Sequence, residues 1–178
     1  MNQVEVNKEA KLSPHFSLGE LTRSKSHPEI YNIPSRQVIE NLKRVCVWLE
    51  ALRERYNLRY VVAGAGGQVP KVEVFGENFI SRPDPEEEPI IITSGYRSAE
   101  LNRKVGGVAT SNHLTGCAAD IRVAGKEQLI RYACILLDYA DETKQDFDEI
   151  LLEHGANGVI WLHFAVRAQG NRRKIGFL

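Results

Sequence analysis

The chain has 178 residues, enough for one hydrophobic core and short for two, and 43% of them are hydrophobic, an ordinary share for a globule. Lysine plus arginine total 23 and aspartate plus glutamate total 23, so no charge excess favours nucleic acid or a membrane surface as a partner. The start, Met1 to Glu5, lacks the basic residues and apolar run of a signal peptide, and no stretch of eighteen uncharged apolar residues follows; the expectation is a soluble protein with no signal peptide and no membrane insertion.

Taken in order, residues 1–11 are polar and read as a loose lead-in. Phe16, Leu18 and Leu21 can anchor the next segment, and Ser17 followed by Glu20 has the spacing of a capping box. His15 and His27 read as surface or capping residues. From Pro34 to Tyr56 the pattern is helical: Val38, Ile39, Leu42, Val45, Cys46, Leu49 and Leu52 recur at three- and four-residue spacings. Residues 59–88 differ in kind and read as an insert carrying a hairpin and a loop. In it Arg59 to Ala63 and Lys71 to Phe75 are strand-like, and Gly64 to Gly67 forms a turn without the Lys-Ser/Thr ending of a phosphate-binding loop. The acidic, proline-rich stretch Arg82 to Pro89 reads as a solvated connector.

Pro89 to Thr93 is an apolar strand that delivers the turn Ser94 to Ser98, and Ala99 to Val105 is a short helix ended by Gly106 and Gly107. Asp120 to Val123 opens a further strand. Lys126 to Ala140 is a helix with Leu129, Ile130, Ala133, Cys134, Leu136 and Leu137 along its expected buried stripe. Phe147 to Leu152 and Val159 to Val166 read as strands, and the basic tail Gly170 to Lys174 as a solvated terminus. Helices interleaved with several strands give an α+β class, a small antiparallel sheet with flanking helices in one domain, 1–178.

Three cysteines with no close pair exclude a disulfide framework or zinc finger; Cys46 and Cys134 read as buried thiols, and Cys117 lies inside the most chemically loaded stretch. There His113 and Asp120 stand seven residues apart around Gly116, and His163 offers a third donor. Two imidazoles and one carboxylate can hold a Zn2+ ion and leave its fourth position to water, the arrangement of a catalytic rather than a structural site. Cys117 is a weaker fourth candidate ligand.

Ser94-Gly95-Tyr96-Arg97-Ser98 with Leu101-Asn102, then Gly106-Gly107, Ser111, His113, Gly116, Ala118 and Asp120, and finally Trp161-Leu162-His163, stand in the order of one family. Over about residues 90–167 the chain resembles the zinc D-alanyl-D-alanine carboxypeptidase and phage endolysin family, peptidase M15-like, which cleaves bacterial cell-wall peptides and shares the hedgehog-type fold. Leu12 to Leu21 resembles the amino-terminal segment of its phage and bacterial members. The resemblance implies zinc held by His113, Asp120 and His163, with Arg97 as the residue that positions substrate during catalysis. Ser111 would bind substrate or orient its loop, and Asp148 would support His113 or His163 from behind or bind backbone.

Several members carry an acid three positions before the last histidine, where this chain has Ile160. Phe147-Asp148 followed by Glu153 matches the hedgehog-like variant instead, which implies Glu153 as the catalytic base, with His154 as second choice. The expected function is zinc-dependent hydrolysis of peptidoglycan peptides, as DD-carboxypeptidase or endopeptidase, by a bacterial or phage-encoded protein that reaches the wall after lysis or particle delivery. The alternative is a zinc-bound module without catalysis that binds or assembles into a particle.

Overall fold

The computed structural model describes residues 7–62, 71–74, 77–83 and 87–178, with side chains at 7–58 and 87–178. The expected glycine turn at Gly64–Gly67 and the residues before Asn7 lie outside these. Helix α1 (Leu18–Thr22) begins at Ser17, whose hydroxyl accepts from the Glu20 amide while the Glu20 carboxylate accepts from the Ser17 amide, a complete capping box. Helix α2 (Arg36–Tyr56) is capped by Ser35 and turns Leu42, Val45, Cys46, Trp48, Leu49 and Leu52 inward. After it, β1 (Leu58–Val62), β2 (Lys71–Val74) and β3 (Glu77–Pro83) form an antiparallel sheet in the order β1-β3-β2, one strand more than a hairpin. The expected connector at Arg82 to Pro89 is partly strand, since β3 runs to Pro83. Beyond it Glu87 pairs with Arg53, and Glu88 is held by the Asn57 side chain.

The remaining elements are β4 (Ile92–Ser94), α3 (Ala99–Lys104), a 3₁₀ turn (Asn112–Thr115), β5 (Ala118–Arg122), α4 (Lys126–Thr143), β6 (Glu149–His154), β7 (Ile160–Ala165) and β8 (Lys174–Phe177). The five strands form one open sheet, ordered β4-β5-β7-β6-β8, so the class is α+β. Every pairing is antiparallel except β6 with β8, which is parallel. The basic tail is exposed, as expected, and is also ordered against the sheet. The amides of Arg173 and Lys174 donate to the carbonyls of Phe147 and Asp148, and this carries β8 along β6.

Alternation along the strands divides their side chains between two faces. Ala119, Ile121, Ile150, Leu152, Leu162 and Phe164 join the hydrophobic core with α2 and α4. Trp48 is its centre, with ring centroids 5.2 Å from Phe164 and 4.8 Å from Tyr139. On α4 the buried stripe is Leu129, Tyr132, Ala133, Leu136 and Ala140; Ile130 and Cys134 are exposed, contrary to expectation, because the stripe that faces Trp48 runs one position away from them. No helix among the described residues is long and apolar enough to cross a membrane.

The other face carries Ala118, Asp120, Trp161, His163, Glu149, Leu151 and Glu153, and the loops around it are pinned by close backbone approaches. At Gly95 a methyl group would stand 2.2 Å from the Leu21 carbonyl oxygen, so only glycine lets the turn after β4 lie against α1. The Asn32 side chain fastens the same turn by donating to the Thr22 and Tyr96 carbonyls and accepting from the Ser98 amide. Gly95→Ala is expected to lower unfolding stability by about 1–3 kcal/mol through forced overpacking, read as a reduced urea midpoint with an unchanged slope.

Candidate metal centre

Asp120 sits in the middle of β5, directly across from His163 on β7, so register alone puts both side chains on the open face as neighbours. Asp120 Oδ1 lies 2.8 Å from His163 Nδ1 and 3.1 Å from His113 Nε2. His113 arrives from the 3₁₀ turn, which Ser111 starts by accepting the His113 amide and Gly116 ends in the left-handed region at φ 70°. A Cβ at Gly116 would also meet the α2 residue Val38 at 2.7 Å, and Asn41 of α2 donates to the Thr115 carbonyl. The turn is thus seated on α2, and its histidine has one direction in which to point.

The three residues are buried, and their candidate ligand atoms all lie within 4.8 Å of one another. The ring of His113 is fixed from behind, because its Nδ1 faces the Gly95 carbonyl at 2.6 Å and must donate there, leaving the Nε2 lone pair toward Asp120. His163 is turned the other way, with Nδ1 toward Asp120 and Nε2 toward Glu149 Oε2 at 3.5 Å, an ion-pair contact longer than a formed hydrogen bond. Two imidazole nitrogens and one carboxylate oxygen converging on a single point fit zinc in ligand type and number.

The remaining expected site residues fall as follows. Arg97 donates from Nη2 to Asp120 Oδ2 at 2.5 Å and from Nε to Ser94 Oγ at 2.8 Å, so its guanidinium is committed first to the carboxylate. Ser111 serves as the cap of the histidine turn. Glu153 shares the open face with His163, roughly 7 Å along β6 from the cross-strand partner Leu151. His154 falls on the opposite face and is exposed. Cys117 is buried but outside the metal-capable cluster, its sulfur turned toward the Thr115 carbonyl. Asp148 does not contact either histidine. It is fully buried, receives Arg172 through two nitrogens at 2.9 and 2.7 Å, Arg167 at 2.9 Å and Asn112 at 2.7 Å, and so supports the loop before His113 rather than its ring.

Glu149, Asn112 and Asn32 are participants that the sequence reading passed over. Glu149 could have been suspected from its position next to Phe147-Asp148, four residues before Glu153, but only the strand register sets it beside His163.

Against known proteins, the Peptidase M15 family model matches residues 84–147, rather more than a third of the chain, including His113 and Asp120. The chain is peptidase M15-like. No curated protein matches it. M15 peptidases are typically zinc-dependent, and the His-Asp-His cluster of this M15-like chain supports a zinc-dependent metallopeptidase. The match ends before β6 and β7, so His163 and its neighbour Glu149 join the centre, and Glu153 shares its face, through the sheet register alone.

The electrostatics follow from the packing. Burial pushes the Asp120 carboxyl up, but the two imidazoles outweigh it and hold the group well below the usual carboxylate range. Burial lowers His163, whereas the carboxylates of Asp120 and Glu149 raise it from 6.5 to about 9. His163, with help from Arg172 and Asn112, holds Glu149 down from 4.5 to about 2 against the effect of burial. In the metal-free protein the Glu149 contribution to stability is complete above pH 4.5 and is lost as pH falls toward 2, while that of His163 is complete below pH 6.5 and is lost as pH rises toward 9. Thermal melts in chelator are therefore expected to peak between these limits. Added zinc, which needs an unprotonated Nδ1, is expected to raise the midpoint more at pH 8 than at pH 6.

Proposed function

We propose that this chain hydrolyses bacterial cell-wall peptides at a zinc ion held by His113, Asp120 and His163, as a DD-carboxypeptidase or a peptidoglycan endopeptidase. The observation that carries the reading is the meeting of Asp120 Oδ1 with one nitrogen of each imidazole, His113 Nε2 at 3.1 Å and His163 Nδ1 at 2.8 Å. Zinc bound there supplies Lewis acidity toward a peptide carbonyl and lowers the pKa of a water molecule.

The protein's own part begins with Arg97. By taking Asp120 Oδ2 it leaves Oδ1 facing both imidazoles, and its Nη1 remains for a substrate carbonyl or terminal carboxylate. For the base, two carboxylates on the open face compete. Glu149 is engaged by Asn112, Arg172 and His163 and is held at about 2, which makes it a poor proton acceptor. Glu153 is free of ion pairs among the described residues and stands on the same face, which supports assigning it to accept the water proton and pass it to the departing amine. The aliphatic residue at position 160 does not weaken the assignment. Ile160 packs against the hydrophobic core, on the face away from His163.

Zinc-loaded protein incubated with purified peptidoglycan is expected to release peptides whose masses name the bond cut, a terminal D-alanine or an internal linkage. Glu153→Gln is expected to lower turnover by about 10²–10⁴-fold with zinc content unchanged. Absence of cleavage by the intact zinc-bound protein across several wall types would favour the zinc-bound module that binds or assembles without catalysis.

A further inference from the structure

We propose that Glu149 is a positioning residue for the metal centre: its carboxylate fixes the ring of His163 so that Nδ1, and not the other edge of the imidazole, meets the metal. The inference rests on the zinc-site reading above and concerns how that site is held.

A histidine ring has two broad orientations related by a half turn about Cβ–Cγ, and packing alone distinguishes them poorly because the ring is nearly symmetric in shape. His113 has a fixed acceptor for its remote nitrogen, the Gly95 carbonyl at 2.6 Å. For His163 the corresponding group is Glu149 Oε2, 3.5 Å from Nε2. A half turn of this ring would put carbon where Nδ1 faces Asp120 and carbon where Nε2 faces Glu149, losing both partners at once.

Glu149 can act this way because it is itself immobilised from several sides. Oε2 accepts from Asn112 Nδ2 at 2.9 Å, and Oε1 pairs with Arg172 Nη2 at 2.9 Å and Lys174 Nζ at 3.5 Å. Asn112 spends its second amide hydrogen on Asp148 and accepts from Arg167 Nε with its oxygen, and it directly precedes His113. One carboxylate therefore touches the ring of the last histidine and the turn that carries the first. Nothing in this arrangement requires Glu149 to touch substrate.

The test is zinc affinity by chelator competition, at a temperature where circular dichroism shows each protein folded. Glu149→Ala is expected to bind zinc at least about tenfold more weakly than the parent, while Glu149→Gln, which keeps an acceptor oxygen, stays within about threefold. Lys174→Ala, which removes only an outer ion pair of Glu149, is expected to lower the melting temperature without changing zinc affinity. Unchanged affinity in Glu149→Ala, or equal losses in the Ala and Gln variants, would overturn the proposal, whereas a parent that binds no zinc would instead overturn the site reading beneath it. Should the alanine variant fail to fold, nitrogen-detected NMR of the zinc-loaded parent decides: a slowly exchanging His163 Nε2 proton is expected, and protonation at Nδ1 or rapid exchange at Nε2 would contradict the role.

Discussion

Asp120 is a charged group in a place where charge is expensive, and the architecture around it answers that cost. A buried carboxylate persists only where donors surround it. Here one oxygen faces two imidazoles and the other takes an arginine. Each of these groups comes from a separate part of the chain, so the 3₁₀ turn, β7 and the turn after β4 must converge on a single point of β5. Gly95 and Gly116 permit two of those approaches, and the antiparallel register of β5 with β7 supplies the third without any special residue.

A second charged cluster lies behind the first. Asp148 and Glu149 are adjacent on the chain, and their carboxylates converge on the same two groups, Arg172 Nη2 and Asn112 Nδ2. Arg173, held at positive φ, stacks over the Phe147 ring and pairs with Asp141 and Asp146. The last strand is consequently tied to the sheet by ion pairs at its beginning and by main-chain bonds along its length. Since Asn112 also reaches Asp148 and Glu149, the carboxy-terminal strand and the histidine turn share a support. That shared support explains why a metal centre made largely within residues 94–163 depends on a residue as late as Arg172.

The parts of this arrangement that were legible in the sequence are those with short-range signatures. The capping box at Ser17, the stripe of α2 and the spacing of His113, Gly116 and Asp120 each follow from a few neighbouring residues. Long-range placement was not legible. Strand β8 has only a brief apolar alternation and becomes a strand by pairing in parallel with β6, which brings Lys174 and the preceding Arg172 to Glu149. Asp148 was expected either behind a histidine or bound to backbone; it takes the Arg172 amide at 3.2 Å, together with side-chain donors from distant positions. Cys134 was expected inside because an apolar helix stripe read from sequence has an uncertain phase. The bulky Tyr132 claimed the core and turned Cys134 outward. The assignment of Trp48 to the core was missed for a related reason, since its partners Phe147 and Phe164 arrive a hundred residues later.

The most direct measurement of the central claim is a zinc-edge anomalous diffraction map of crystals of the zinc-loaded protein. One peak is predicted between β5, β7 and the 3₁₀ turn, bonded to His113 Nε2, one oxygen of Asp120 and His163 Nδ1, with Arg97 retained on the other Asp120 oxygen. A peak elsewhere, or a zinc bound through Cys117 with His163 turned away, would contradict it.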